Sequence, residues 1–163
     1  MHFLIKVLFV CLGNICRSPM AEAVFREQIA QKGWQDQFEI DSAGTSNWHI
    51  GKKPHQGTLS KLTEKNIPTE GMFARQVTPQ DALTYDYIVA MDETNEQDLQ
   101  ALFSTSSSAQ VFKLLDLLEH RADKNVPDPY YTGDFEETYQ LVQESVTQLI
   151  DQIAREKMME FEP

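Results

Sequence analysis

The chain has 163 residues, 41% of them hydrophobic and 24% charged. That is the size of one domain, able to hide roughly 70% of its unfolded surface without disulfides or metal, and too apolar for a disordered chain. The charge is lopsided: residues 1–80 carry nine Lys/Arg against seven Asp/Glu, and residues 81–163 five against eighteen, for a net −11. Such a surface repels a polyphosphate backbone, so nucleic acid is not an expected partner and any small anion has to be drawn by a local site.

Phe3 to Val10 is a run of β-branched and aromatic residues that suits an interior parallel strand. The same run has the look of a short leader, but Lys6 interrupts it and no small-residue cleavage site follows, so the strand is the better reading. Ser18-Pro19 predicts a helix with Ser18 as N-cap and Pro19 at the first helical position, stopped by Gly33. A second strand, Phe38 to Ser42, is closed by Ala43-Gly44, and residues 45–54 form a loop. A helix follows from His55 to Asn66, and Thr78-Pro79-Gln80-Asp81 caps a short helical turn. Tyr87 to Met91 is a third strand, Asp92 to Phe103 a helix capped by Asp92, and Gln110 to Leu114 a fourth strand entered from the serine-rich turn Ser104 to Ser108. Residues 121–134 are expected to be a loop. The last helix starts near Phe135, with Phe135, Tyr139, Val142, Val146, Leu149, Ile150 and Ile153 on one buried face. Met158 to Pro163 extends past it without an assigned role. Strands alternating with helices predict an α/β fold, a four-stranded parallel sheet with helices on both faces, in one domain over residues 1–163.

The informative segment is Val10-Cys11-Leu12-Gly13-Asn14-Ile15-Cys16-Arg17-Ser18-Pro19. It joins the carboxyl end of a strand to the start of a helix, where open α/β sheets bind ligands. Main-chain N–H groups of Leu12, Gly13, Asn14, Ile15, Cys16, Arg17 and Ser18 can ring an anion there, aided by the helix dipole. Gly13 is expected to supply the special torsions of that ring, and Arg17 to close it with a planar fork. Cys11 sits at the centre, where N–H groups, dipole and Arg17 favour its thiolate. Ser18 is placed to hydrogen-bond the sulfur and Asn14 to brace the loop. The bland alternative is a buried structural cysteine, the default at an apolar strand end.

These residues resemble the signature loop of the low-molecular-weight protein tyrosine phosphatases. The resemblance continues through Asp41-Ser42-Ala43-Gly44-Thr45, Ala74-Arg75-Gln76-Val77, Met91-Asp92-Glu93 and Asp128-Pro129-Tyr130-Tyr131, over nearly the whole chain. It implies the phosphotyrosine protein phosphatase I-like, flavodoxin-like three-layer fold. It also implies hydrolysis of phosphotyrosine in proteins through a phosphocysteine on Cys11, with Arg17 holding the phosphoryl oxygens. Asp128 is the candidate general acid and base; alone, its Asp-Pro would read as a plain turn. Trp48, Tyr130 and Tyr131 are placed at the entrance, in a slot too deep for phosphoserine, although Trp48 also reads as ordinary packing. Ile15 stands where relatives acting on phosphoarginine carry Thr, and its bulk would crowd a guanidinium. Cys16 is implied as a reversible redox partner of Cys11; its alternative is a small apolar filler. His49, beside Trp48, occupies a variable position that tunes substrate choice. Met72 stands where many members have a His bonded to the serine at Ser42, so the brace from Ser42 to the loop must be made differently here.

No cofactor is expected, and the four histidines, His2, His49, His55 and His120, match no metal-ligand spacing. The expected partners are a phosphotyrosine-containing protein and inorganic phosphate or other oxyanions as product and inhibitor, with no membrane insertion, since no stretch reaches ~20 apolar residues. A monomer in the cytoplasm is expected, two cysteines fitting a reducing compartment. Three rivals stand against this reading. Arsenate reductase needs downstream cysteines, and none follows Cys16. A protein arginine phosphatase is disfavoured by Ile15. A phosphotyrosine-binding adaptor without turnover would leave the catalytic parts unused.

Overall fold

The computed structural model describes residues 4–104 and 107–157. Four strands, β1 (Ile5–Cys11), β2 (Phe38–Gly44), β3 (Tyr87–Ala90) and β4 (Gln110–Lys113), form one parallel sheet in the order β2-β1-β3-β4. The helices are α1 (Arg17–Gln31), α2 (Gln56–Glu64), α3 (Asp81–Thr84), α4 (Glu93–Phe103), α5 (Pro129–Thr132) and α6 (Phe135–Lys157). β1 lies inside the sheet and its side chains alternate between two cores. Val7, Phe9 and Cys11 face α1, α2 and α6; Leu8 and Val10 face α3 and α4. This makes the three-layer α/β sandwich with helices on both faces that the alternation of elements predicts.

The order of the strands positions the site. The chain leaves β1 towards β2 on one side, then crosses back to β3 on the other. The loops after β1 and β3 therefore diverge and leave a crevice at the carboxyl end of β1.

Several boundaries differ from the sequence expectation. Leu4 precedes β1 and Phe3 lies outside the described residues, while the strand runs on to Cys11. β2 carries on through Ala43-Gly44, and β3 stops at Ala90. β4 ends at Lys113, because Leu114–Leu117 tightens into a 3₁₀ turn whose leucines 114 and 115 are fully buried. His55 is the N-cap of α2, its Nδ1 accepting from the Gly57 N–H. Asp92 caps α4 as expected. The loop 121–134 contains α5, capped by Asp128 with Pro129 at its first position. The expected turn Ser104 to Ser108 and tail Met158 to Pro163 fall partly and wholly outside the described residues.

One correction bears on the site. α1 begins at Arg17 with Cys16 as its N-cap residue, so Ser18 is not the cap. Pro19 still falls within the first turn, where its missing N–H has no intrahelical partner to lose. The Ser18 hydroxyl is thereby released for other contacts.

Gly44, at the end of β2, is where the backbone of the loop after β1 comes closest. A Cβ there would lie 2.8 Å from the Leu12 carbonyl oxygen and 3.1 Å from the Gly13 carbonyl carbon. Both are main-chain atoms of a loop fixed at both ends. Gly44→Ala is expected to destabilise the fold by about 1–3 kcal/mol through overpacking. Urea denaturation should show a lower midpoint at unchanged slope; an unchanged midpoint would mean that the loop yields freely.

Candidate active site

Four carbonyls of the loop between β1 and α1 are bonded to the segments that flank it. The Cys11 carbonyl accepts from Thr45 N–H (2.9 Å), and that of Leu12 from Ser46 N–H (3.0 Å) and Oγ (2.9 Å). The Ile15 carbonyl accepts from His55 N–H (2.7 Å), and that of Cys16 from Thr58 Oγ1 (3.2 Å). Two flanking segments, 44–46 and 55–58, thus satisfy the carbonyls from outside. Among the described residues no protein acceptor takes the N–H of Gly13, Ile15 or Cys16. A peptide that turns its carbonyl out turns its N–H in, which makes the hollow an anion cradle.

The left-handed residue of the loop is Asn14, at φ 57°, not Gly13. Asparagine tolerates that conformation because its side chain bonds locally. Here its amide is fully engaged: Nδ2 donates to Ser18 Oγ (2.8 Å) and Ser42 Oγ (2.9 Å), and Oδ1 accepts from Arg75 N–H (3.0 Å). Gly13 is instead the point where a side chain packs closely on the loop. The His49 ring lies against it, and a Cβ would meet Cδ2 at 2.9 Å.

Cys11 Sγ lies on the floor of the hollow, 3.3 Å from the Asn14 N–H that donates to it and 3.0 Å from Ser18 Oγ. The Ser18 hydroxyl already accepts from Asn14, so its own hydrogen is free for the sulfur, the Ala43 carbonyl being farther at 3.5 Å. Arg17 is 2% exposed. Its Nη1 donates to Asp92 Oδ2 (2.7 Å) and the Val126 carbonyl (3.0 Å), and Nη2 reaches Asp128 Oδ2 at 3.3 Å. Burial opposes its charge, but Cys11, Asp92 and Asp128 outweigh that and push its pKa up. Its buried Nε has no protein acceptor.

Asp128 accepts from Tyr130 N–H through Oδ1 (3.1 Å), which turns Oδ2 towards Arg17. It opens into a cleft of about 180 Å³ lined also by Cys11, Ile15, Trp48, Tyr130 and Tyr131. Trp48 is 63% exposed, so ordinary core packing does not account for it. The Tyr130 ring stands between two imidazoles, 6.4 Å from His49 and 6.0 Å from His55.

Cys16 is a free thiol 3% exposed, clustered with Ile15 and Ala74. Burial first, then the charges of Cys11 and Asp128, pushes it up to about 12. Met72 lies in the core. The brace from Ser42 runs instead to the Glu22 carboxylate, which accepts from Ser42 Oγ at 2.6 Å and from Arg26 at 2.6 and 3.0 Å. Glu22 is buried, which raises its pKa.

The structure therefore brings Cys11, Leu12, Gly13, Ile15, Cys16, Trp48, Asp128, Tyr130 and Tyr131 to one cleft, with Arg17 buried beside it and bonded to Asp128. Sequence reasoning missed three contributors. Asp92 was read only as a helix cap; its Oδ1 does cap α4, at 2.8 Å from Asn95 N–H, but Oδ2 holds Arg17. Its place at the carboxyl end of the strand beside β1 was the available signal. Glu22 was marked only by being a carboxylate among apolar helix residues, and Arg75 only by lying in the Ala74-Arg75-Gln76-Val77 segment of the resemblance, with no role attached.

The family model described as low molecular weight phosphotyrosine protein phosphatase matches residues 6–159. The chain is 48% identical over 156 residues to the low molecular weight protein-tyrosine-phosphatase YfkJ of Bacillus subtilis, spanning 96% of this chain and 100% of that protein. The crystal structure of YfkJ superposes with a TM-score of 0.92 at 49% identity, covering 94% of this chain and 97% of that one. The low molecular weight protein-tyrosine-phosphatase PtpA of Staphylococcus epidermidis is 42% identical over 153 residues, 94% of this chain and 96% of that protein. The crystal structure of DARP, drosophila arginine phosphatase, gives a TM-score of 0.84 at 32% identity, covering 91% of this chain and 97% of that one. With matches of this extent in sequence and in structure, the chain belongs to the low molecular weight phosphotyrosine protein phosphatase family.

Proposed function

We propose that this phosphatase hydrolyses phosphotyrosine in proteins by transferring the phosphoryl group to Cys11 and then to water. The observation that carries the reading is the Cys11 sulfur, which receives the Asn14 N–H and faces the Ser18 hydroxyl at the floor of a cleft opening on Asp128. Sulfur is a poor acceptor as a thiol and a good one as a thiolate.

In the first step a bond forms between Cys11 Sγ and phosphorus, and the bond from phosphorus to the tyrosine oxygen breaks. Asp128 gives its proton to the departing oxygen. The loop N–H groups and Arg17 hold the equatorial oxygens, and the unpartnered Arg17 Nε gains an acceptor. An arriving phosphoryl dianion competes for Arg17 and disfavours the Asp128 carboxylate, so the acid is loaded by the substrate itself. In the second step Asp128 takes a proton from water. The oxygen–phosphorus bond forms, the phosphorus–sulfur bond breaks, and phosphate leaves with Cys11 restored as thiolate. Inorganic phosphate and other oxyanions occupy the same cradle as product and inhibitors. The reading takes the enzyme as a monomer, with Cys11 and Asp128 meeting in one cleft of the chain. Its two free thiols suit the reducing cytoplasm.

The cleft is smaller than the ~300 Å³ lower end for drug-sized ligands, which suits one ring and its phosphate with the polypeptide left outside. Trp48, Tyr130 and Tyr131 offer flat faces to a phenyl ring. The likeness to an arginine phosphatase favours a second reading, phosphoarginine. Ile15 lines the cleft and opposes it, since its branched side chain crowds a planar guanidinium. Phosphotyrosine peptides are expected to turn over at least tenfold faster than phosphoarginine peptides in kcat/KM, with Ile15→Thr narrowing the gap. The reverse preference in the natural protein would overturn the assignment.

For the catalytic roles, hydrolysis of p-nitrophenyl phosphate across pH is the test. Cys11→Ser is expected to show no turnover. Asp128→Ala is expected to lose about 10²–10⁴-fold and its acidic-side dependence. Retained turnover in Cys11→Ser would end the phosphocysteine route.

We further propose that Cys16 rescues oxidised Cys11. After peroxide converts Cys11 to a sulfenic acid, Cys16 sulfur attacks it, forming the disulfide and releasing water. The main cause of the raised Cys16 pKa is burial, which persists when Cys11 carries no charge. Disulfide formation should therefore quicken about tenfold per pH unit between neutrality and pH 10, tracking the thiolate fraction. Cys16→Ser should lose recovery by dithiothreitol; a pH-independent closure would remove Cys16 as the attacking group.

A further inference from the structure

The segment around Arg75 belongs to no strand of the sheet, yet it ends in the nucleophile's hydrogen-bond network. It is attached to the end of β2 by Gly44 N–H to the Arg75 carbonyl (2.8 Å) and by Val77 N–H to the Gly44 carbonyl (2.8 Å). Ala74 before it is tied by its carbonyl to Gly51 N–H and by its N–H to the Lys52 carbonyl, both at 2.8 Å, and Gln76 Nε2 donates to the Thr45 carbonyl at 3.2 Å; the Arg75 side chain adds a further hold. Its Nε donates to Asp41 Oδ2 on β2 at 2.9 Å, and its two Nη atoms donate to Asp81 on α3 at 3.1 and 3.2 Å. Asp81 is itself fixed by the Thr78 N–H at 2.8 Å. A planar fork between two carboxylates allows one orientation, which an ammonium would not reproduce.

The Arg75 main chain meets the Asn14 amide, and there the donor and acceptor arithmetic is decisive. The amide faces three groups: Ser18 Oγ, Ser42 Oγ and Arg75 N–H. The Ser18 hydroxyl can donate or accept, whereas Ser42 gives its hydrogen to Glu22 at 2.6 Å and so takes only the amide nitrogen. The Arg75 N–H only donates, so it requires the oxygen on its side, and with Ser42 it fixes the amide. That choice turns Nδ2 towards Ser18, makes Ser18 Oγ an acceptor, and leaves its hydrogen for the Cys11 sulfur 3.0 Å away. With the amide reversed, Ser18 would donate to Oδ1 and present lone pairs to the sulfur.

We propose that Arg75 is a positioning residue for the nucleophile: locked between Asp41 and Asp81, it holds the main-chain N–H that orients the Asn14 amide and so aims the Ser18 hydroxyl at Cys11. The proposal rests on the reading of Cys11 as nucleophile. Arg75 acts through two intermediates and touches no substrate.

The test is the pH dependence of Cys11 alkylation by iodoacetamide, with p-nitrophenyl phosphate turnover and a melting curve for each protein. Arg75→Lys keeps the positive charge and removes the fork; Asp81→Asn weakens the fork from the other side and serves if the first folds poorly. Arg17, Asp128, Cys16, His49, Tyr130 and Tyr131, the other titratable groups around Cys11 and its cleft, are unchanged in both. Both variants are expected to move the alkylation midpoint up by about one pH unit and to lower kcat about tenfold. Asn14→Ala should give the same shift, and Arg75→Lys should add nothing in its presence. An unmoved midpoint, or shifts that add in full, overturns the proposal. Cys11→Ser is the blank and reports any alkylation of Cys16: turnover surviving in it ends the nucleophile reading and this proposal together, whereas lost turnover with an unmoved midpoint in the Arg75 variant ends only the proposal.

Discussion

The whole site depends on a main chain turned inside out. The carbonyls of Cys11, Leu12, Ile15 and Cys16 are bonded outward to Thr45, Ser46, His55 and Thr58, which turns the N–H groups of those peptides to the other side. Buried N–H groups without a fixed partner are costly. The fold accepts that cost because the carbonyl side is satisfied and because an anion supplies the missing acceptor. Gly44 and Gly13 make room for it, one against the loop backbone and the other against His49. The left-handed turn at Asn14 closes the ring.

The electrostatics are local against an adverse background. A protein of net charge −11 does not attract phosphate by its overall field. The site compensates with one guanidinium almost out of contact with water, anchored by Asp92 and facing Asp128. Anchoring by Asp92 sets the direction of the fork, while the longer contact to Asp128 leaves that carboxylate free to change partner when a phosphoryl group arrives. On the proposed mechanism a single arginine thereby serves both as oxyanion clamp and as the group that links an arriving substrate to Asp128.

Behind the sulfur lies a second layer in which each member fixes the next. Asp41 and Asp81 hold Arg75, Arg75 holds Asn14, and Asn14 orders Ser18 and Ser42. Glu22 and Arg26 finish the chain at Ser42, in a place where the core itself is filled by Met72. Such a network fixes hydrogen direction as well as atomic position, and direction decides whether a neighbouring hydroxyl stabilises a thiolate or repels it.

The β1–loop–α1 unit was legible in the sequence because its signals are local: a β-branched run, a short turn, then a helix start. Local signals also misled. Gly13 has the composition for a positive φ and Ser18 that for a cap, yet Asn14 takes the turn and Ser18 faces the sulfur. Asp128 could be assigned only through the family resemblance, since Asp-Pro by itself is a turn. Asp92, Glu22 and Arg75 were not legible as parts of the site, because their partners lie 75, 20 and 61 residues away in the chain. The sequence by itself determined the layer architecture, the cradle and the identity of its sulfur, since periodicity and neighbouring residues encode them. Only the tertiary structure decided which distant carboxylates grip the two arginines and which way the Asn14 amide points, since these depend on strand order and on donors brought together by folding.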